Sequence, residues 1–144
     1  MNEKIFFDHE KLIVYQRSLQ LIEFFEVIFE RKIGSSYQAQ LERASSSIIH
    51  NIAEGNGKFT GKDRCKYFDI ARGSASECAG GLDIQFIKKK ISKEELYNGK
   101  SLLKEIVSML VGLIKSNSND RIYEPDVNIK LIIRREWKMS KNLD

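Results

Sequence analysis

The chain is poor in residues that interrupt helices or crosslink chains. Its 144 residues include one proline, Pro125, and two cysteines, Cys65 and Cys78. Proline is the strongest helix breaker, so everything that precedes it can be helical. The cysteines lie within what we interpret as one helix, about 20 Å apart along its axis, which excludes a disulfide between them. We therefore expect both to act as small apolar side chains in a reduced, cytoplasmic protein.

Residues that carry catalysis or bind metals are also scarce. The histidines are His9 and His50 alone, and the Glu-x-x-His pairs of di-metal bundles are missing. Ser47 stands close to His50, but no third group completes a hydrolytic triad. The sequence has no Cys/His cluster and no Walker-type phosphate loop. It therefore predicts no metal, no cofactor and no catalytic residue, and a protein that works by binding.

Long apolar runs and a secretory signal are absent too. No stretch approaches the roughly 18 apolar residues of a membrane span, and the charged start MNEKIFFDHEK lacks the apolar core of a signal peptide. Even so, 42% of the residues are apolar, which is enough for the core of one domain. The net charge of +4 is compatible with nucleic-acid binding but not diagnostic of it. We expect no membrane contact.

Four segments carry apolar residues at helical spacing and predict four helices. They cover residues 8–31, 36–54, 62–89 and 92–115. Because their connections are short, we expect an all-α, antiparallel up-down-up-down four-helix bundle. The bundle covers residues 1–116, and a linker with a short C-terminal extension covers 117–144.

Local signals mark the ends of these segments. Ser35 or Ser36 can cap the second helix, and Gly55, just past its end, suits a left-handed C-terminal residue. Ser92 followed by Glu95 predicts a capping box at the fourth helix. The third segment contains RGSASECAGG, whose small residues permit a close helix contact and whose glycine pair predicts a bend or such a contact.

The first segment has a wider apolar arc than one bundle seam needs. One stripe consists of Leu12, Tyr15, Leu19, Ile22 and Phe29, and the neighbouring stripe consists of Val14, Leu21, Phe25 and Ile28. Two interpretations stay open. Either both stripes are buried within one monomer, or one of them packs on a second subunit.

A polar stripe accompanies the apolar stripe of the second segment and faces polar residues of the third. The residues that we expect in an interhelical network are Arg43, Asn51, Glu54, Arg72, Ser74 and Glu77. In such a network an arginine pairs with a glutamate and sets the helix register, while asparagine and serine satisfy the remaining groups. We favour this structural role over ligand binding.

Three stretches of these segments resemble the signatures of one bacterial family. They are DHEKLIVYQ at 8–16, QLERASSSIIHNIAEG at 40–55 and FDIARGSASE at 68–77. The family consists of four-helix-bundle proteins encoded in intervening sequences of 23S rRNA genes. This chain has Lys32-Ile33-Gly34 where the family usually has a proline, and it continues beyond the fourth helix.

The resemblance implies properties that residue spacing does not show. It implies assembly into a homopentamer and no enzymatic activity. It also implies kinship with the accessory proteins of diversity-generating retroelements, which associate with a reverse transcriptase and with nucleic acid.

Positive charge is concentrated at the two ends of the predicted bundle. The near end holds the start of the first helix, the connection between the second and third, and the end of the fourth; the far end holds the other two connections. The candidate nucleic-acid-binding residues are Lys58, Lys62, Arg64 and Lys66 at the near end and Arg31, Lys32, Lys88, Lys89, Lys90 and Lys93 at the far end. RNA bound there would be held in a salt-dependent way, mostly irrespective of its sequence. A plain solvated lysine-rich surface is the alternative.

The tail after Pro125 suggests a second function. Its apolar residues fit a strand or a short helix equally well, and Ile129, Ile133 and Trp137 are the candidate partner contacts. In this interpretation the bundle is an adaptor that docks a protein, such as a reverse transcriptase, through its tail.

Overall fold

The computed structural model describes residues 4–118 and shows an all-α fold over that range. A short 3-10 helix, Asp8–Lys11, precedes four α-helices. Their bounds are α1 Ile13–Phe29, α2 Ser35–Asn56, α3 Gly61–Ile87 and α4 Lys93–Asn117. The predicted all-α class and the four predicted helices are confirmed. The candidate tail contacts Ile129, Ile133 and Trp137 lie outside the described residues.

Contacts at both ends of the molecule define the bundle topology. Each helix packs on the next one along the chain, and α1 also packs on α4. At the far end, the Arg31 side chain donates to the backbone carbonyl of Lys90, so the end of α1 lies beside the start of α4. At the near end, the Arg64 side chain donates to Asn117, so the start of α3 lies beside the end of α4. Neighbouring helices therefore run antiparallel, as in the predicted up-down-up-down bundle.

Every helix contributes large, fully buried side chains to one core. Representative residues, none more than 1% exposed, are Phe25, Ile48, Phe68 and Ile106. The contact between α2 and α3 is the most extensive one. Small residues such as Ala44 and Ala75 are buried in these helices, which lets their backbones approach closely. The small-residue segments of the sequence therefore serve helix packing.

The first helix begins later than the sequence predicts. The Glu10 carboxylate accepts the backbone N–H groups of Phe6 and Phe7 at 2.7 and 3.0 Å, which holds the 3-10 turn. Leu12 then has an extended backbone, with φ −71° and ψ 128°, and the α-helix starts at Ile13. Apolar spacing continues across this break, so periodicity alone could not locate it.

One of the two apolar stripes of α1 is buried within the monomer. Its residues, each at most 2% exposed, are Val14, Leu21, Phe25 and Ile28. Of the second stripe, only Leu19 is exposed, at 42%, and its other four members are half-buried. Two further apolar residues of α1 that belong to neither stripe, Ile13 and Val27, are 58% and 54% exposed. The monomer core therefore does not use the whole apolar arc. Within the described part of the chain, no helix has both the length and the apolar character needed to cross a bilayer.

Two predictions about the ends of α2 are wrong. The N-cap is Gly34 rather than a serine, and its φ of 97° is a backbone conformation that suits glycine. Gly55 is not a residue beyond the helix but is buried inside it. A Cβ atom at Gly55 would lie 2.9 Å from the ring of Phe68. Gly55 is therefore required for the close approach of α3, which a sequence signal for helix ends cannot reveal.

A tight turn connects α3 to α4 at the far end. The Lys90 N–H donates to the Gln85 carbonyl oxygen at 2.9 Å, and Lys89 has a φ of 60°. This is the Schellman arrangement, here with lysine at the left-handed position that glycine usually occupies. Ser92 then caps α4 in a reciprocal box with Glu95, as the sequence predicts.

Candidate nucleic-acid interface

The far end is held together by the ion pair between Arg31 and Glu95. The two terminal nitrogens of Arg31 donate to the two carboxylate oxygens at 2.8 and 2.6 Å. Glu95 also accepts the Ser92 N–H at 2.9 Å. The Arg31 hydrogen bond is the main reason that the pKa of Glu95 falls to about 2, and the pKa of Arg31 is raised in return. Arg31 is thus engaged within the bundle and presents less free charge than the other far-end candidates.

Five exposed lysines lie at the same end of the bundle as this ion pair, and we call them the lysine cluster. They are Lys32, Lys88, Lys89, Lys90 and Lys93. None of the five forms an ion pair with another residue in the range 4–118. Because they remain unneutralised, they provide cations that phosphate groups could contact.

Two tyrosines lie beneath lysines of this cluster. The Lys88 ammonium is 5.1 Å from the centroid of the Tyr37 ring, and the Lys93 ammonium is 5.6 Å from that of Tyr97. These distances allow cation–π attraction, which steadies long side chains that would otherwise sample many rotamers. The far end therefore combines free positive charge with aromatic faces.

The candidates of the near end are more strongly engaged. Arg64 donates to the Asn56 carbonyl oxygen at 2.8 Å and to Asn117 at 3.1 Å, so it joins the end of α2 to the end of α4. Lys58 lies 4.0 Å from Glu54 and 5.0 Å from the centre of the Tyr67 ring. Lys62 and Lys66 are exposed, and no residue among 4–118 forms an ion pair with either. The two ends therefore differ in how much free charge they present.

The structure brings together only part of the predicted polar network. Arg43 pairs with Glu77 at 2.6 Å between α2 and α3, but both side chains are largely exposed. Deeper between the helices, the Ser47 and Ser74 hydroxyls lie 2.8 Å apart, and Asn51 donates to the Ser47 carbonyl oxygen at 2.8 Å. The Arg43–Glu77 and Ser47–Ser74 contacts link α2 to α3, whereas the Asn51 hydrogen bond lies within α2.

Arg72 and Glu54 do not join that network. Arg72 pairs with Asp69 on its own helix at 2.7 Å, and Glu54 faces Lys58 one turn further along. Helical spacing of three or four residues makes such local pairs geometrically available. Sequence reasoning could not choose between a local partner and one on the neighbouring helix.

Sequence reasoning missed a groove of about 310 Å³ between α2 and α3 near the far end. Its lining includes Tyr37, Leu41, Gly80, Ile84 and Gln85. Gln85 is fully buried, and neither polar atom of its amide has a hydrogen-bond partner among the described residues. The Gly80-Gly81 pair was the available signal. The sequence predicted either a bend or a close helix contact at this pair. The close contact exists at Gly81, where a Cβ would lie 2.5 Å from Leu41, and α3 continues through both glycines.

The cysteines have no geometry for metal binding. Cys78 is buried, and burial raises the pKa of its thiol to about 12. Burial also raises the pKa of Cys65, whose thiol donates to the Ile114 carbonyl oxygen at 3.3 Å. No cluster of histidine, cysteine and carboxylate groups suitable for a metal occurs in the part of the chain that the structure describes. Both cysteines are protonated packing residues of α3.

Comparisons with known proteins bear on the fold and the family. A solved structure from the S23 ribosomal protein family of Bacteroides thetaiotaomicron VPI-5482, a protein of unknown function, superposes with a TM-score of 0.67. It is 21% identical and covers 72% of this chain and 99% of its own, a likeness that shows the shared fold. No curated protein matches the sequence. The model of the 23S rRNA-intervening sequence protein family matches residues 10–112. This chain therefore belongs to the family of 23S rRNA-intervening sequence proteins.

Proposed function

We propose that this protein is a non-catalytic bundle that binds RNA or an RNA–protein complex through the lysine cluster at its far end. In this proposal the bundle is a homo-oligomer, and five copies are the expected number. The observation that carries the proposal is the concentration of exposed, unneutralised lysines at that end. The two cation–π contacts add aromatic faces to the same surface.

Electrostatics favours the far end over the near end. Phosphate contacts release counterions, so a group of free lysines provides affinity that falls steeply as salt rises. Five far-end lysines meet this requirement. At the near end only Lys62 and Lys66 do, because Arg64 and Lys58 already have protein partners. Assembly would multiply the effect, because five copies of a chain with net charge +4 carry +20.

The exposed side of α1 supports self-association. Ile13, Leu19 and Val27 are apolar, yet each is more than two-fifths exposed in the monomer. Burying apolar side chains on a second copy removes them from water, which is favourable. In the proposed oligomer these α1 residues form the contact between copies, and the lysine cluster contacts RNA.

A pair of charge reversals tests the RNA contact. The variant Lys88→Glu/Lys90→Glu alters two cluster lysines and leaves Lys89, whose backbone is left-handed, unchanged. The control Lys62→Glu/Lys66→Glu makes the same charge change with exposed lysines of the near end. Fluorescence anisotropy with a labelled single-stranded RNA, titrated at several salt concentrations, gives affinity and salt slope. We expect the first variant to lose about tenfold or more in affinity and roughly two units of slope, and the control to retain both.

Two outcomes would contradict the proposal. An equal loss in both variants would show that only total charge matters and that the far end is not the binding surface. A stable oligomer that ignores RNA at low salt, detected by light scattering after size exclusion, would favour the adaptor function instead. In that case the partner would be a protein such as a reverse transcriptase, and variants at Ile129, Ile133 and Trp137 would be the next to make.

A further inference from the structure

The groove between α2 and α3 has the features of a small ligand site. Its volume of about 310 Å³ falls at the lower end of the range for such sites, roughly 300–1,000 Å³. Its apolar lining comes from Tyr37, Leu41 and Ile84. Glu77 also borders the groove, but its charge is offset by Arg43 at 2.6 Å. An uncharged group is therefore the kind of ligand that this groove would accept.

Gln85 supplies unused hydrogen-bonding capacity at the groove. The side chain is fully buried and lines the groove, yet neither its carbonyl oxygen nor its amide nitrogen has a partner among the described residues. A buried amide in this state gains hydrogen bonds if a ligand presents a donor next to an acceptor. Both atoms are shielded from solvent, so a ligand can reach them only after the Gln85 side chain rotates. Such a rotation is accessible, because the χ3 angle of glutamine has a broad distribution.

Gly80 keeps the groove open. A Cβ atom at this position would meet no heavy atom within 4 Å, so packing does not demand a glycine. Glycine in a helix interior is nevertheless unfavourable relative to alanine. The neighbouring Gly81, by contrast, is required by its contact with Leu41. Because Gly80 lines the groove, a larger side chain at this position would project into the open space there.

We propose that this groove binds one unpaired nucleobase of an RNA whose phosphates contact the lysine cluster. Tyr37 connects the two surfaces, because it lines the groove while Lys88 lies over its ring. A nucleobase is flat and uncharged, stacks on aromatic rings, and presents donors beside acceptors on its edge, which a glutamine amide can pair in a bidentate manner. The inference rests on the proposed RNA binding and adds base recognition to it.

The test compares two labelled oligomers of equal length and charge, a single-stranded RNA and its abasic ribose-phosphate counterpart. The groove is filled by Gly80→Leu, and the control is Gly112→Leu, a position of α4 that is equally open. We expect the full-length wild-type protein to bind the base-containing RNA about tenfold more tightly than the abasic one. Gly80→Leu should abolish this preference without changing the abasic affinity, and Gly112→Leu should leave both unchanged.

The remaining outcomes separate this inference from the proposed function. Equal wild-type affinity for both oligomers, or equal effects of Gly80→Leu and Gly112→Leu, would overturn base recognition while RNA binding stands. Absence of binding to either oligomer would overturn both. If Gly80→Leu does not fold, as judged by circular dichroism, Gln85→Leu replaces it. That variant should lose the preference for bases, and its retention would contradict the inference.

Discussion

The ion pair between Arg31 and Glu95 offers the sharpest test of how the far end is stabilised. Glu95→Gln keeps the size and the capping ability of the side chain but removes its charge. In the wild-type protein the carboxylate binds Arg31 through both oxygens and also accepts the Ser92 N–H. These contacts connect the end of α1, the α3–α4 turn and the first turn of α4. The charge of Glu95 therefore acts on three elements at once.

The lowered pKa of Glu95 determines how much stability its charge contributes and over which pH range. A fall from 4.5 to about 2 corresponds to at most ~3.4 kcal/mol between the charged and neutral forms. The side chains of Arg31 and Glu95 are 40% and 24% exposed, so solvent screening reduces this to about 1–2 kcal/mol. Because the folded pKa lies below the unfolded one, this stability is fully present above pH 4.5 and is lost as the pH falls towards 2.

Urea unfolding of the wild type, Glu95→Gln and Glu94→Gln between pH 7 and pH 2 provides the measurement. We expect Glu95→Gln to lower the free energy of unfolding by about 1–2 kcal/mol at pH 7 and to match the wild type near pH 2. Glu94 is the control, since it is the neighbouring exposed carboxylate and also lies in the first turn of α4. Equal stability of wild type and Glu95→Gln at pH 7, or a difference that persists at pH 2, would refute the reasoning.

Three further predictions concern single side chains, and urea unfolding at pH 7 measures each of them. Gln85→Met removes two buried polar atoms that have no hydrogen-bond partner among residues 4–118, and it keeps a similar side-chain volume. It should therefore raise the free energy of unfolding by about 1–3 kcal/mol; destabilisation would show that the amide is hydrogen-bonded in solution. Gly99→Ala should destabilise the protein by about 1–3 kcal/mol, because the new Cβ would lie 2.6 Å from Leu82. Gly80→Ala places its Cβ in open space and should stabilise the protein by about 1 kcal/mol. A change of the same sign in both variants would contradict this difference in packing. Lys89→Gly relieves a left-handed backbone and should stabilise by about 1 kcal/mol, a gain that Lys90→Gly should not show.

Local patterns in the sequence predicted the elements that depend on neighbours in the chain. The box between Ser92 and Glu95 is visible because its two residues lie three positions apart and bond to each other's backbone. The four helices follow from apolar periodicity for the same reason. Gly55 is an example of a residue whose role depends on another helix. Its position near the end of α2 suggested a cap, but its neighbour in space is Phe68 of α3, which no local pattern identifies.

The same distinction between local and tertiary information applies to the candidate binding surface. The sequence identified the positive residues, but not which of them remain free of protein partners. Arg31 and Lys88 are both basic residues of the far end, yet Arg31 is bound to Glu95 and Lys88 is not paired with any carboxylate of residues 4–118. That distinction depends on side chains more than 50 positions apart in the chain, as the separation of 64 between Arg31 and Glu95 shows.

By itself, the sequence determined the helical class, the number of helices and the position of the fourth helix cap, because periodicity and capping act over three to seven residues. Only the tertiary structure decided which stripe of α1 is buried, which charges are neutralised and where α2 and α3 leave a groove. Those properties arise between helices whose facing residues lie far apart in the chain. Likewise, only the tertiary structure shows that the buried amide of Gln85 has no hydrogen-bond partner within residues 4–118.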